Sequence, residues 1–327
     1  MMRSRSRILK KFLASGAAFL LLGNAQAQSF PAKPIEVVVH VNPGGGADVF
    51  ARYVTDIINR EKLLAQPMAV VNKAGGAHAV AANYTAGRRG DPHTVLTIAH
   101  SSFLVVPAVS GLDLGLDKFV PLALFGMDSH TLTVRADSPY KTLKDITEAV
   151  KRSPKSVIAG VGTIGGTAHM VGYLLEKQTG GRFNFIGLKG GGEAVLGVLG
   201  GHYHVCFENL SEVIDHVQAK KLRILGIPTE KRLPYLPDVP TMKEQGYPMV
   251  VGVGRGFLAP AGIPNDARAT LEAAFEKAYR TSAWKEFATR NMFDDVFLKG
   301  PQFEQWLKNE QPLLTQFVRD VGLAKQK

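Results

Sequence analysis

Three consecutive glycines, Gly44, Gly45 and Gly46, join the apolar β-branched run at residues 37–41 to an amphipathic stretch that starts at Asp48. Glycine lets the backbone approach a ligand closely, and the start of a helix leaves N–H groups unpaired, so residues 44–47, ending at Ala47, make an anion site. Asp48 would repel an anion. Its role is read as capping the helix, with direct contact to a cationic ligand group as the alternative. A second strand-to-helix segment, Gly160-Val161-Gly162-Thr163-Ile164-Gly165, formally matches the dinucleotide fingerprint. That fingerprint requires an acidic residue about 20 positions further on, and residues 180–184 contain none. No nucleotide or other cofactor is expected. What remains is a second anion loop, with amides near Gly165, Gly166 and Thr167 and the hydroxyls of Thr163 and Thr167.

Other chemistries fail on spacing. The triple glycine is not followed by the Gly-Lys-Ser/Thr of a phosphate loop. His202 and His204 share a strand face, but no further ligand lies at metal-site spacing, so no metal is expected. His100, Ser101 and Ser102 lack an identified acid partner, and no Gly-x-Ser-x-Gly elbow occurs. No catalytic residue is assigned. Ser101, Ser102 and Phe103 follow a strand end and are candidates to line a cleft opposite the distal part of a ligand.

The elements that must hold these loops follow from periodicity. Strands are expected at 35–41, 68–71, 94–99, 156–161, 183–188, 204–207 and 223–227, and helices at 48–60, 142–152, 167–178, 193–199 and 211–220. The alternation predicts an α/β chain with mainly parallel sheets. After a strand at 256–259, two long helices at 266–290 and 301–321 close the chain. Phe303, Trp306, Leu307, Leu313, Leu314 and Phe317 recur at helical spacing and are read as core.

The first residues set the compartment. Arg3, Arg5, Arg7, Lys10 and Lys11 precede an apolar run at 12–22, and Ala25-Gln26-Ala27 has the small-x-small pattern of a cleavage site. Residues 1–27 are therefore read as a signal peptide cleaved after Ala27, with export to a bacterial periplasm and no membrane insertion of the mature chain. The single cysteine, Cys206, cannot form an internal disulfide, so stability must come from the core. The formal charge of +11 includes five leader cations with no acidic counterpart, and the remaining basicity is dispersed. Such a surface suits small anions rather than nucleic acid, which calls for a clustered basic stripe.

Taken in order, further motifs resemble one family, the extracytoplasmic solute receptors of tripartite tricarboxylate transporters, often called the Bug family. Phe30-Pro31-Ala32-Lys33-Pro34-Ile35 is similar to its opening Tyr-Pro-x-Lys-Pro-Ile. Pro43 to Asp48, Val70-Val71-Asn72-Lys73-Ala74-Gly75-Gly76 and Gly162 to His169 resemble its next segments. Lys189-Gly190-Gly191-Gly192-Glu193-Ala194, Phe207-Glu208-Asn209, Leu236-Pro237-Asp238-Val239-Pro240-Thr241 and the run 258–264 continue the series. Ala47 stands where Thr or Ser is common, and Leu188 where Tyr is usual, so two hydroxyls of the family pattern are missing.

The resemblance implies an α/β, type II periplasmic-binding-protein-like fold, with two lobes, crossing hinge strands and a ligand cleft between them. Lobe one is placed at 28–127 plus 251–327 and lobe two at 128–250, with crossings near 126–131 and 250–256. The implied function is capture of a small organic carboxylate and its delivery to the membrane components of such a transporter. A ligand-binding sensor and a periplasmic enzyme on the same fold are the alternatives. Within that frame His169 orients the second loop or simply packs, Asn209 donates to ligand or caps a helix, and Glu208 acts across the hinge. Arg255 either pairs with a ligand carboxylate or braces the hinge through a protein acid.

Overall fold

The structure is a computed structural model, and it describes residues 30–44, 46–162, 164–188, 190–294 and 296–325. The leader reading falls outside these residues, as do Gly45 and Thr163. The chain runs β1 (Ile35–Val39), α1 (Gly46–Arg60), β2 (Met68–Asn72), α2 (Ala79–Ala86), β3 (Thr94–Ala99), the short helices α3 (His100–Leu104) and α4 (Val106–Ser110), and β4 (Phe119–Ser129). It continues through β5 (Leu132–Arg135), α5 (Leu143–Arg152), β6 (Ile158–Val161), α6 (Thr167–Thr179), β7 (Asn184–Gly187), α7 (Gly191–Leu199), β8 (Val205–Cys206), α8 (Leu210–Gln218) and β9 (Leu222–Gly226). The last part holds β10 (Gly252–Pro260), α9 (Asn265–Tyr279), α10 (Ser282–Arg290), β11 (Phe293–Asp294), β12 (Leu298–Lys299) and α11 (Gly300–Asp320).

These strands form two sheets. The first has seven strands in the order β11-β4-β10-β3-β1-β2, with β12 also on β4, and the second has the order β7-β6-β8-β5-β9. The chain leaves the first sheet at the end of β4 and re-enters it at β10, and an isolated bridge between His130 and Asn209 lies beside the outward crossing. Both sheets are mixed rather than mainly parallel. β1, β2 and β3 are parallel, but β10 runs antiparallel to β3 and β4, and β5 runs antiparallel to β8 and β9.

Period-two alternation builds the core. Ile35, Val37 and Val39 of β1 face a cluster with Phe50, Ile57, Phe257, Phe275 and Trp284, whereas Val38 faces the opposite cluster with Leu96, Ile98, Phe103 and Phe303. The rings of Phe50 and Phe257 stack with centroids 5.3 Å apart, and those of Phe257 and Phe275 at 4.5 Å. Fully burying each such side chain contributes roughly 1.5–3 kcal/mol. α11 seals the second face closely: an ideal Cβ on Gly256 would stand 2.7 Å from the ring of Phe303.

Local signals explain the helix starts. Thr142 and Asp145 form a reciprocal capping box at α5. The single helix expected over 266–290 is two helices, because Thr281 leaves the helical conformation and its hydroxyl accepts from the N–H of Trp284, opening α10. Leu313, read as core, is 46% exposed, while Phe303, Leu307, Leu314 and Phe317 are buried. Among the described residues no helix is long and apolar enough to cross a membrane.

Candidate ligand-binding site

In open α/β sheets ligands gather beyond the carboxyl ends of the parallel strands. Here β1 runs into His40 and the glycine loop, β3 runs directly into α3, β6 into the loop before α6, and β7 into Gly190 and α7. These ends from both sheets surround a cavity of about 420 Å³. Ser101, Ser102, Gly166, Thr167, Asn209 and Arg255, all expected from sequence, line it.

The two sheets touch across the cleft. Ser101 and Thr167, each near the start of its helix, have hydroxyl oxygens 2.5 Å apart. α6 is a 13-residue helix whose first turn, Thr167 and Ala168, faces the cavity, so its unpaired N–H groups and positive dipole end are presented to a ligand. Gly162 lets the neighbouring loop close in: a Cβ there would lie 2.6 Å from the N of Gly191. The fingerprint-like glycine spacing thus serves packing of two loops. The N–H of Gly162 donates to Glu208 Oε1 at 2.6 Å.

Arg255 on β10 lines the cavity. Its Nη2 is 3.2 Å from Asp128 Oδ2 on β4, and both side chains are nearly buried. The Asn209 amide also donates to Asp128 Oδ2. Arg255 therefore pairs with a protein acid across adjacent strands and still contributes to the cavity wall. Its guanidinium also reaches the start of α1, 3.5 Å from where a Cβ on Gly46 would be.

The remaining expected residues lie around this centre. Gly165 sits in the wall of an adjoining apolar pocket that also includes Ser102 and Gly166. His169 stands behind the second loop: its Nδ1 accepts from the N–H of Gly165 at 3.1 Å, and its ring packs edge-on against Phe185 and Phe317. Burial lowers its pKa to about 4, which keeps that nitrogen a neutral acceptor. Gly44, Gly46, Ala47 and Asp48 do not line the cavity. Asp48 is buried, with Oδ2 accepting from Gly44 N and Arg52 Nε at 2.9 Å each and Oδ1 from Asn72 at 2.8 Å. Its burial acts to raise its pKa, but these bonds outweigh that and hold it below the usual carboxylate value. Its carboxylate is thereby committed to fixing the glycine loop. Phe103 is 2% exposed and packs edge-on against Phe119, so it belongs to the core and not to the cleft.

Several cavity residues escaped the sequence reading: His40, His78, His130 and Glu212. His40 follows β1 immediately, a strand-end position that could have marked it. Its Nδ1 lies 2.9 Å from the Thr97 carbonyl, and its ring stacks on His78 with centroids 3.5 Å apart. Burial, with Arg255 adding to it, brings the His40 pKa to about 3 despite that bond. His100, outside the cavity, accepts from Gly254 N at 2.8 Å and is likewise pushed to about 3 by burial, then by Arg255 and His130. His130, in the crossing, gave no sequence signal. Burial and Arg255 lower it to about 3 against the pull of the Phe207 and Glu208 carbonyls. Glu212 lies four residues after Glu208, a spacing that can bring two side chains together. Burial raises Glu208 to about 8, with Glu212 adding repulsion, and raises Glu212 to about 7, with Asp128 adding repulsion.

Residues 50–323 match the family model described as tripartite tricarboxylate transporter family receptor. Protein BugT of Bordetella pertussis is 29% identical over 304 residues, covering 90% of this chain and 91% of its own length. A TctC solute-binding protein from Polaromonas superposes with a TM-score of 0.77 at 27% identity, over 89% of this chain and 100% of that one. MatC from Rhodopseudomonas palustris, solved with bound malate, shares the fold at 24% identity and a TM-score of 0.75, over 88% of this chain and 100% of its own. The architecture is thus the two-lobed α/β fold of periplasmic solute-binding proteins.

Proposed function

Because the chain belongs to the tripartite tricarboxylate transporter receptor family, we propose that it captures a small organic carboxylate in the cavity between its lobes and delivers it to the membrane components of such a transporter. It works in the periplasm after cleavage behind Ala27, and it releases its ligand unchanged. Lobe one comprises residues 28–127 and 251–327, lobe two residues 128–250, and they close as hinged bodies.

One observation carries this reading: the α6 amino terminus from one sheet and Ser101 and Arg255 from the other converge on a single cavity. A carboxylate there meets hydroxyl donors, helix-end amides and a guanidinium, all charge-assisted partners. A micromolar receptor needs about −8 kcal/mol, which a few such bonds and enclosure by both lobes supply. The malate held by MatC supports the ligand class.

A thermal-shift screen of mono-, di- and tricarboxylates, aromatic acids and amino acids tests the proposal. At least one acid should raise the melting temperature in a saturable way; no shift with any acid, followed by no heat of binding in calorimetry, overturns it.

A further inference from the structure

A second set of contacts joins the two sheets outside the ligand cavity. α11 packs its first half on the first sheet, where an ideal Cβ on Gly254 or Gly256 of β10 would stand 2.7 Å from the ring of Trp306 or Phe303, respectively. Its last turns also meet α6, the helix whose start faces the cavity. The Phe317 ring centroid lies 5.3 Å from that of His169 and 5.1 Å from that of Tyr173. The Tyr173 hydroxyl donates to Asp320, which Lys177 Nζ approaches at 3.7 Å. Gly322, with φ of 75°, then reverses the chain, and the Leu323 N–H closes the turn on the Val318 carbonyl at 2.8 Å. That turn sets Leu323 against the second glycine loop: a side chain on Gly165 would run into Leu323 Cδ1. Lys325 anchors the segment to α4, its N–H donating to the Ala108 carbonyl at 2.9 Å and its Nζ to the Ser110 carbonyl at 2.8 Å.

We propose that Phe317, Asp320 and Leu323 are positioning residues for the ligand site: from the first sheet's side they clasp α6 and the second glycine loop, and so set ligand affinity without touching the ligand. This rests on the reading of the cavity as the carboxylate site and adds residues outside it, since none of the three lines that cavity. Two routes reach the same loop. Phe317 backs His169, whose Nδ1 accepts from the Gly165 N–H, and Leu323 meets Gly165 directly. The bond from the buried Tyr173 to Asp320 carries more of the clasp than Lys177, whose side chain is 59% exposed and screened by solvent. A loop and helix start held in place before the ligand arrives lose less freedom on binding, and contacts made only when the sheets are together raise the binding-competent fraction. Both effects change the affinity of every ligand by one common factor.

Hydrogen exchange read by mass spectrometry on the full protein without ligand tests the clasp in Tyr173→Phe, Asp320→Ala and Leu323→Ala. Amides at 164–170 should exchange about threefold or more faster in each variant, while β4 and β10 keep wild-type protection. Asp320→Asn, whose amide oxygen can still accept from Tyr173, should stay near wild type. Calorimetric titration with succinate, malate, glutarate and benzoate then reads the effect on binding. Each acid that binds the wild-type protein should weaken about three- to tenfold in the variants, by the same factor for all. Unchanged exchange at 164–170 overturns the proposal, and so does faster exchange along the whole chain, which would assign these residues to overall stability. Losses that differ from acid to acid also overturn it, since they would put Leu323 in direct contact with ligand. No binding by any of the four acids counts against the carboxylate reading instead, and the exchange result decides the clasp on its own.

Discussion

The Ser101 and Thr167 hydroxyls, 2.5 Å apart, form a side-chain bond between the helix that follows β3 of the first sheet and the helix that follows β6 of the second. Both residues are buried and both line the cavity, so the bond joins the two sheets at the cavity wall. Thr167→Val keeps the shape and removes the hydroxyl. Affinity for the best carboxylate should fall about three- to tenfold, the worth of roughly 1 kcal/mol for one hydrogen bond. Calorimetry on Thr167→Val, Ser101→Ala and the double variant checks it: the double variant should lose little more than either single one, whereas fully additive losses would mean the two hydroxyls act separately.

Arg255 and Asp128 make a buried pair, so breaking it leaves an uncompensated charge. Arg255→Ala should cost roughly 3–5 kcal/mol of stability in denaturant unfolding. If the guanidinium also takes a ligand carboxylate, the same change weakens a dicarboxylate far more than the matching monocarboxylate. Equal losses would confine Arg255 to bracing the strands.

Gly162→Ala places a methyl group 2.6 Å from the Gly191 nitrogen and 2.8 Å from the Gly190 carbonyl carbon. Backbone cannot rotate away as a side chain can, so the two loops must separate. The expected cost is about 1–3 kcal/mol, with ligand affinity reduced, by thermal unfolding and titration of the purified variant. Wild-type values in both would contradict the close-approach role.

Stability should peak near neutral pH. His40, His100 and His130 are held near 3 and His169 near 4, chiefly by burial. The unfolded chain binds these protons from about pH 6.5 downward, so this contribution is present above 6.5 and lost as pH falls. Glu208 and Glu212 have the opposite sign: raised to about 8 and 7, they keep protons that the unfolded chain releases above about 4.5, so their contribution fades as pH rises. Between 6.5 and 4.5 four histidines outweigh two glutamates. Stability should fall on acidification by about 1.4 kcal/mol per pH unit for each net proton. Scanning calorimetry of the ligand-free protein from pH 4.5 to 8.5 reads this, and a melting temperature flat or rising toward pH 4.5 would contradict it.

The parallel strands were legible because their signal is local. β3 covers 94–99 as expected, and α6 begins at the Thr167 that follows the second glycine loop. β4 and β5 were missed. β4 carries Pro121 and Gly126 within an otherwise apolar run, and its pairing with β10 is set by residues more than a hundred positions away. The site was half legible for the same reason. Residues beside glycine-rich turns, such as Ser101, Gly166 and Thr167, announce themselves by position, whereas His130 reaches the cavity only through the crossing between sheets. Asp48 shows the converse, since its proximity to the glycine loop reflects support of that loop through Gly44, Arg52 and Asn72.

In the proposed function both lobes contribute to one carboxylate site. Its most direct test is a crystal structure of the protein grown with the tightest-binding acid from the thermal-shift screen. A carboxylate is expected within hydrogen-bond distance of Thr167 at the start of α6 and of Ser101 or Arg255 from the other sheet. An acid bound elsewhere, or touching only one lobe in the closed protein, would contradict it.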